Sequence, residues 1–389
     1  MRLALLFALL CSVAYGLTIS HHVSAQAIDA PAKISALIPD TQRPAEHHGS
    51  TVLAGYAPDR ATGPDKPVRA TPAQQFDVAA ASGNGTIPVY STLPLNANAA
   101  GIERVVIVVH GESRNAKSNW SSTVDAAKMA AVTGTTLIVG PQFLVPQDIA
   151  AQRLPASVLR WKMHDWSRGL PAVSPISVSG FEVLDHLLDH FADRTRYPDL
   201  RTVVLVGHSA GAQLVQRYTA VGHGEQALTA LGIHTRYVVV EPSSFLYFDN
   251  LRPSAAGGFK ALDSSACPGA TQWRYGLDNA PPYVSGQSAQ AVEATYAARD
   301  VVYLAGTADN DPDHSELDRS CAGELQGSDR LSRSVSYMKY MRMRHPTNLH
   351  QRLVLVPGAD HDSKHVLANS CSLPVLFSDS HEFPCASKP

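Results

Sequence analysis

The stretch Thr202-Val203-Val204-Leu205-Val206-Gly207-His208-Ser209-Ala210-Gly211-Ala212 constrains this chain more than any other. It opens with a β-branched and aliphatic run without polar alternation, the pattern of a strand buried on both faces. A Gly-x-Ser-x-Gly turn follows, and then Gln213-Leu214-Val215-Gln216-Arg217-Tyr218 with helical spacing. So abrupt a passage from strand to helix forces the serine into strained backbone, and a Cβ at Gly207 or Gly211 would collide with the neighbouring strand or helix. Ser209 is thereby lifted off the sheet edge with its hydroxyl exposed. The first helical turn behind it, Ala210 foremost, aims unpaired backbone N–H groups at any negative charge that develops there.

The rest of the chain supplies the partners such a strand needs. Ile87-Pro88-Val89-Tyr90-Ser91-Thr92-Leu93-Pro94 reads as an early edge strand with proline near its ends. Arg104 to Val109 is a strongly buried strand that runs out into His110-Gly111-Glu112-Ser113-Arg114-Asn115. A helix through Thr123 to Val132 precedes the strand Thr135 to Phe143. A long segment with Trp161, Trp166 and Gly169 then fits either a cleft lining or core packing. Ser179-Gly180-Phe181-Glu182 forms a capping box, after which Phe181, Leu184, Leu187, Leu188 and Phe191 recur at helical spacing. Further strands are expected at Tyr237 to Val240, Asp300 to Gly306 and Arg352 to Val356. Between the first two, residues 248–298 carry Pro, Gly and aromatics without alternation and read as an insertion or lid. Strands alternating with helices predict an α/β fold, a parallel buried sheet with helices on both faces.

A serine hydroxyl is a weak nucleophile at neutral pH; it needs a base of near-ambient pKa and an acid that fixes and stabilises that base. Ser209, Asp309 and His361 each follow a buried strand, which brings all three to the C-terminal edge of the sheet, where ligands bind in open α/β sheets. Asp311 and Glu241 are rivals for the acid, and His365 for the base. A second backbone donor beside Ala210 N–H would come from Glu112 or Ser113, in the loop after the Arg104–Val109 strand. His110 reads as a residue that holds this loop by hydrogen bonds. Asp309-Asn310-Asp311-Pro312-Asp313 lacks the glycine and terminal glutamate of a calcium loop and reads as a solvated acidic turn.

Gly207-His208-Ser209-Ala210-Gly211, His110-Gly111, Gly306-Thr307-Ala308-Asp309 and Gly358-Ala359-Asp360-His361 resemble the α/β-hydrolase superfamily, over about Ile87 to Val366. The resemblance implies an α/β-hydrolase fold with a mostly parallel eight-stranded sheet. It also implies acyl transfer by Ser209, His361 and Asp309, with an oxyanion hole from Ala210 and Glu112 or Ser113. Glu112 stands where lipases often have glycine. His110-Gly111-Glu112-Ser113-Arg114-Asn115 and Glu241-Pro242-Ser243-Ser244 are similar to a secreted esterase-like branch.

Three features place the chain in an exported setting. Met1-Arg2 and the apolar Leu3 to Leu10 run, with Ala25-Gln26-Ala27 behind, form a signal peptide expected to end near residue 27. His21 and His22 cut the apolar stretch close to the minimum for a membrane span, and Leu10 before Cys11 does not suit a lipoprotein site. Four cysteines then remain, with three possible pairings; Cys267 with Cys321 and Cys371 with Cys385 are favoured, and the absence of Cys-x-x-Cys argues against zinc. Residues 28–73 read as a flexible arm, with His47-His48 solvated, and residues 74–389 as the catalytic domain. A net charge of -2 over 389 residues offers no basic field for nucleic acid. The expected function is a secreted or periplasmic serine esterase without cofactor or stable membrane anchor, its partner a small or polymeric ester. Amide or peptide cleavage, polyester depolymerisation and a non-catalytic binding protein are the alternatives. Acyl preference and oligomeric state are not encoded in any motif.

Overall fold

A computed structural model describes residues 64–263 and 265–387. The expected signal peptide and the arm up to residue 63 lie outside the described residues. The strands are β1 (Gln75–Ala80), β2 (Gly83–Ser91), β3 (Arg104–Val109), β4 (Thr136–Pro141), β5 (Thr202–His208), β6 (His234–Val240), β7 (Leu251–Pro253), β8 (Phe259–Ala261), β9 (Asp300–Gly306) and β10 (Gln351–Val356). The helices are α1 (Ala116–Met129), α2 (Pro146–Gln152), α3 (Gly180–Phe191), α4 (Ala210–Val221), α5 (Glu225–Ala230), α6 (Ala289–Ala298), α7 (Cys321–Glu324), α8 (Arg330–Arg344), α9 (Ser363–Leu367) and α10 (Leu373–Phe377).

Eight strands form one sheet in the order β1-β2-β4-β3-β5-β6-β9-β10, and β7 and β8 make a separate hairpin. Every pair from β4 to β10 is parallel, while β1 and β2 run antiparallel at one end. The unbroken apolar runs follow from this, because successive side chains enter different cores. Val105, Ile107, Val203, Leu205, Val239 and Tyr303 join the core on one face. Val106, Val108, Val204, Val206, Val240 and Leu304 join the core on the other. Helices α3, α4 and α8 contribute to the first core, and α1, α9 and α10 contribute to the second.

The structure corrects several sequence expectations. The Ile87–Pro94 stretch is not an edge strand: it lies mostly within β2, covered by β1, whose Phe76 and Val78 are buried. Pro88 is tolerated because it faces Gln75 in the first pair of that ladder, and its carbonyl accepts from Gln142 N–H at 2.8 Å. Helix α1 starts at Ala116 rather than Thr123, since Asn115 Oδ1 accepts from Ser118 N–H at 3.2 Å and caps it. The last part of the expected arm, residues 64–73, is bound to the domain; Val68 is buried, and its N–H donates to Asp148 Oδ1 at 2.9 Å. In the segment expected as a lid, α6 packs along α4, and Trp273 and Tyr283 pack on Phe181 of α3. The turn carrying Arg274 borders the cleft described below.

The Ser179–Glu182 capping box forms as its residue types require: Ser179 Oγ accepts from Glu182 N–H at 3.1 Å, and Glu182 Oε2 accepts from Ser179 N–H at 2.7 Å. Both favoured disulfides are present, Cys267–Cys321 and Cys371–Cys385. The second holds the C-terminal tail beside β10, where Cys385 O accepts from Leu355 N–H at 3.2 Å and Ser387 N–H donates to Leu353 O at 2.8 Å. Among the described residues, no helix is long and apolar enough to cross a membrane.

Candidate active site

Ser209 links β5 to α4 with φ 56° and ψ −116°, a conformation costly for a residue with a Cβ. The neighbouring glycines allow the turn. A Cβ on Gly207 would strike the Gly211 carbonyl, and one on Gly211 would strike the carbonyls of Val109 and His110. The turn thus wedges β5, α4 and the end of β3 together. As the first residue of α4, Ala210 has an N–H with no intrahelical acceptor.

His361, after β10, and Asp309, after β9, meet this serine. His361 Nε2 lies 3.0 Å from Ser209 Oγ, and His361 Nδ1 lies 2.9 Å from Asp309 Oδ2. An ionised carboxylate only accepts, so the proton sits on Nδ1 and leaves Nε2 free to accept from the hydroxyl. Arg330 Nη1 donates to Asp309 Oδ1 at 3.2 Å. Burial pushes the Asp309 carboxyl up, but the His361 hydrogen bond and charge and the Arg330 guanidinium outweigh it and hold it below its ordinary value.

Glu241 follows β6 and reaches the same histidine, its Oε2 lying 3.4 Å from His361 Nδ1 and 3.5 Å from His208 Nε2. Its Oε1 accepts from Gly306 N–H at 3.0 Å. Burial pushes the Glu241 carboxyl up to about 7 against the opposing pull of His361. His208 is buried too, and desolvation holds its imidazole down at about 4, so it stays neutral. The two carboxylates beside His361 are therefore unlike: Asp309 is ionised and within hydrogen-bond distance, Glu241 longer in contact and easily protonated. Asp311 and His365 are exposed, and His365 pairs with Asp360 at 2.7 Å instead.

The loop after β3 carries Glu112 and Ser113. His110 Nε2 accepts from Phe143 N–H at 3.0 Å, which leaves the proton on Nδ1 to donate to Gly111 O at 2.8 Å. In a trans peptide the N–H points opposite to the C=O, so tethering Gly111 O turns Glu112 N–H the other way. Burial keeps His110 neutral, its imidazole lowered to about 4, as this bonding requires. Arg114 anchors the loop from below at φ 58°. Its guanidinium is fully buried and makes a bidentate pair with Asp148, Nε to Oδ2 at 2.7 Å and Nη2 to Oδ1 at 3.1 Å. It also donates to Pro64 O at 2.9 Å and Lys66 O at 2.8 Å.

Around Ser209 a cavity of about 880 Å³ opens on the His361 side, and one of about 310 Å³ on the Ala210 side. A larger groove of about 1280 Å³ lies at the opposite sheet edge, where β6 and β9 begin, and holds none of the candidate residues. Its charges are committed to one another, Asp300 accepting from Arg352 at 2.9 Å and Glu225 from Arg299 at 2.5 Å.

No family model matches the chain, and no curated protein does either. Solved structures do match it. One is poly(aspartic acid) hydrolase-1 from Sphingomonas sp. KT-1, 20% identical over 76% of this chain and 95% of that one, with a TM-score of 0.51. Another is LpqC, a poly(3-hydroxybutyrate) depolymerase from Bordetella parapertussis, 18% identical over 79% of this chain and 90% of that one, with a TM-score of 0.52. The chain has the α/β-hydrolase fold. Within an α/β-hydrolase fold the elements above occupy one edge, the C-terminal ends of β3, β5, β6, β9 and β10. Several residues that shape this edge lie outside the stretches singled out in the sequence: Asp148, Arg330, Arg168 and Arg274. The signal that could have found Arg217 is that it is the one charged residue of the helix that follows Ser209, every residue of which is buried.

Proposed function

We propose that the protein is a secreted serine hydrolase that cleaves carboxylic esters through an acyl-enzyme. The observation that carries this reading is the hydrogen-bonded line Ser209–His361–Asp309, with Ser209 held on a turn at φ 56°. His361 Nε2 takes the Ser209 proton as Oγ bonds to the substrate carbonyl carbon, and the carbonyl π pair moves onto oxygen. Ala210 N–H and Glu112 N–H receive that oxyanion; the His110 tether on Gly111 O favours Glu112 over Ser113 as the second donor. The oxyanion collapses, the C–O bond to the alcohol breaks, and His361 hands its proton to the departing oxygen. Water then repeats the sequence, losing a proton to His361 and releasing the carboxylic acid while Ser209 regains its hydrogen. Asp309 orients His361 and stabilises its protonated form. The domain begins no later than Pro64, and the two disulfides support export to an oxidising compartment.

A polymeric ester is a second reading, favoured by the open cleft beside His361 and by the two polymer hydrolases that share the fold. The first test is hydrolysis of nitrophenyl esters by the mature protein beside Ser209→Ala. We expect activity in the wild type and a loss of at least about a thousandfold in kcat for the folded variant. A wild type that neither cleaves these esters nor takes a fluorophosphonate on Ser209 would overturn the reading. Release of soluble acid from a polyester film separates a depolymerase from an enzyme of small esters.

A further inference from the structure

The smaller cavity beside Ser209 is lined largely by charged and polar side chains, although esterase pockets for fatty acyl chains need apolar walls. Arg168, at the end of the helical turn Trp166–Arg168, lines it half-buried. Its Nε is buried without a hydrogen-bond partner, and among the described residues no carboxylate forms an ion pair with it. Arg274 lines the same cavity and pairs with Asp318 at 3.0 Å, while Tyr275 OH donates to the same Asp318 oxygen at 2.6 Å. Behind them Arg217 is fully buried and bonds to neutral oxygens alone: Ser167 O at 3.0 Å, Gln213 Oε1 at 3.1 Å, Ser244 Oγ at 3.3 Å and Arg274 O at 3.3 Å. Arg168 and Arg217 thus stand near Arg274 without an ion pair of their own among the described residues.

The carboxylates of the wall, Glu112, Glu316 and Asp318, match its lining arginines in number, so the anion site is local to Arg168 and Arg274 and not a net positive field. Glu112 is paired with His164 at 2.5 Å, and Arg319 pairs outward with Asp313 at 3.0 Å. Glu316 lines the divide between the two cavities. Gln213 Oε1 already accepts from Arg217 and from Ser244 Oγ, so its amide nitrogen is left as a further donor beside Ala210. Burial first, and then the nearby charges of Arg274 and Arg168, lower the Arg217 guanidinium to about 9. An anion entering between Arg168 and Arg274 finds planar donors matched to a carboxylate.

The two cavities differ in which end of an ester they take. The leaving oxygen must reach His361 Nε2 to be protonated, and His361 lines the larger cavity and not the smaller. The acyl portion therefore enters the smaller one, past Ala210. We propose that Arg168 and Arg274 form an acyl-side subsite for a carboxylate, so that the favoured substrates are esters of a dicarboxylic acyl unit whose far end is a free acid. The orientation, though not the anion site itself, rests on the serine-hydrolase reading.

The test pairs a mono-nitrophenyl adipate with its methyl ester, which keeps the chain and the leaving group and removes the charge. The wild type should cleave the anionic ester at least about tenfold faster in kcat/KM at low salt, the worth of one charge-assisted contact. Added salt should shrink that ratio, and Arg168→Met should lower it by about tenfold, with Arg168→Lys between. A wild-type ratio of one or less overturns the proposal whether or not the variants fold, and so does a ratio that Arg168→Met leaves unchanged. Calorimetric titration of adipate into Ser209→Ala is independent of turnover. Heat that vanishes when Arg168→Met is added to that variant supports the anion site even if neither ester is cleaved, and no heat in Ser209→Ala sinks it. Cleavage of the neutral ester without preference for the anionic one defeats the subsite and leaves the hydrolase reading standing.

Discussion

At the residue scale, the two carboxylates beside His361 differ in distance and in charge. Asp309 accepts the Nδ1 proton at 2.9 Å and is held ionised by Arg330, whereas Glu241 stands 3.4 Å away and is pushed up to about 7 by burial. Asp309→Asn should reverse the tautomer of His361 and cost on the order of a thousandfold or more in kcat, while Glu241→Gln should cost less than about tenfold. Stopped assays on matched esters decide between them, and equal losses would make Glu241 the orienting acid. The raised Glu241 pKa also has a stability signature. Its native value of about 7 exceeds the ordinary 4.5, so the folded state binds the extra proton between those values. The resulting stability is complete below about pH 4.5 and is lost as pH rises through 7. Urea unfolding of Glu241→Gln across this window should show a shallower decline with pH than the wild type. The chain order of Ser209, Asp309 and His361 was legible because each follows a buried strand. The choice of Asp309 over Glu241 could be ranked from sequence, but the geometry behind it depends on how far each side chain reaches. Those reaches are a tertiary property.

At the element scale, the strand–turn–helix at Ser209 was readable because glycine at both flanks has a local steric cause. The loop after β3 was only half readable. Its His110-Gly111 start is recognisable, yet Arg114 is anchored by Asp148 from α2 and by carbonyls of residues 64 and 66, partners far away along the chain. Strand β1 was missed for a related reason: Gln75-Phe76-Asp77-Val78 alternates weakly over few residues, and pairing with β2 completes it. Removing Asp148 leaves the buried Arg114 charge uncompensated. Asp148→Ala should destabilise the fold by about 3–5 kcal/mol in chemical unfolding and lower kcat before KM, since it loosens the loop proposed to hold the oxyanion. A stable variant with unchanged kcat would assign Arg114 to folding alone.

At the scale of the whole molecule, the far end of the sheet is closed covalently. Residues 385–387 lie along β10, and Cys371–Cys385 holds them there, covering backbone that would otherwise be an open edge. Replacing both cysteines by serine should lower stability by about 3 kcal/mol and raise the tendency to associate, read by melting and light scattering. The pairing was inferable from the closeness of the two cysteines in sequence; the edge they guard was not, because only the assembled sheet order makes β10 its last strand. The Arg114 anchor joins the start of the described chain to the reactive edge, since one guanidinium grips Pro64 O and Lys66 O and also braces the loop beside Ser209. Proteolytic trimming that passes residue 66 would therefore untether the loop beside Ser209 early, while the sheet behind it still stands: on the proposed reading, a worn molecule of this kind fails inert before it unfolds.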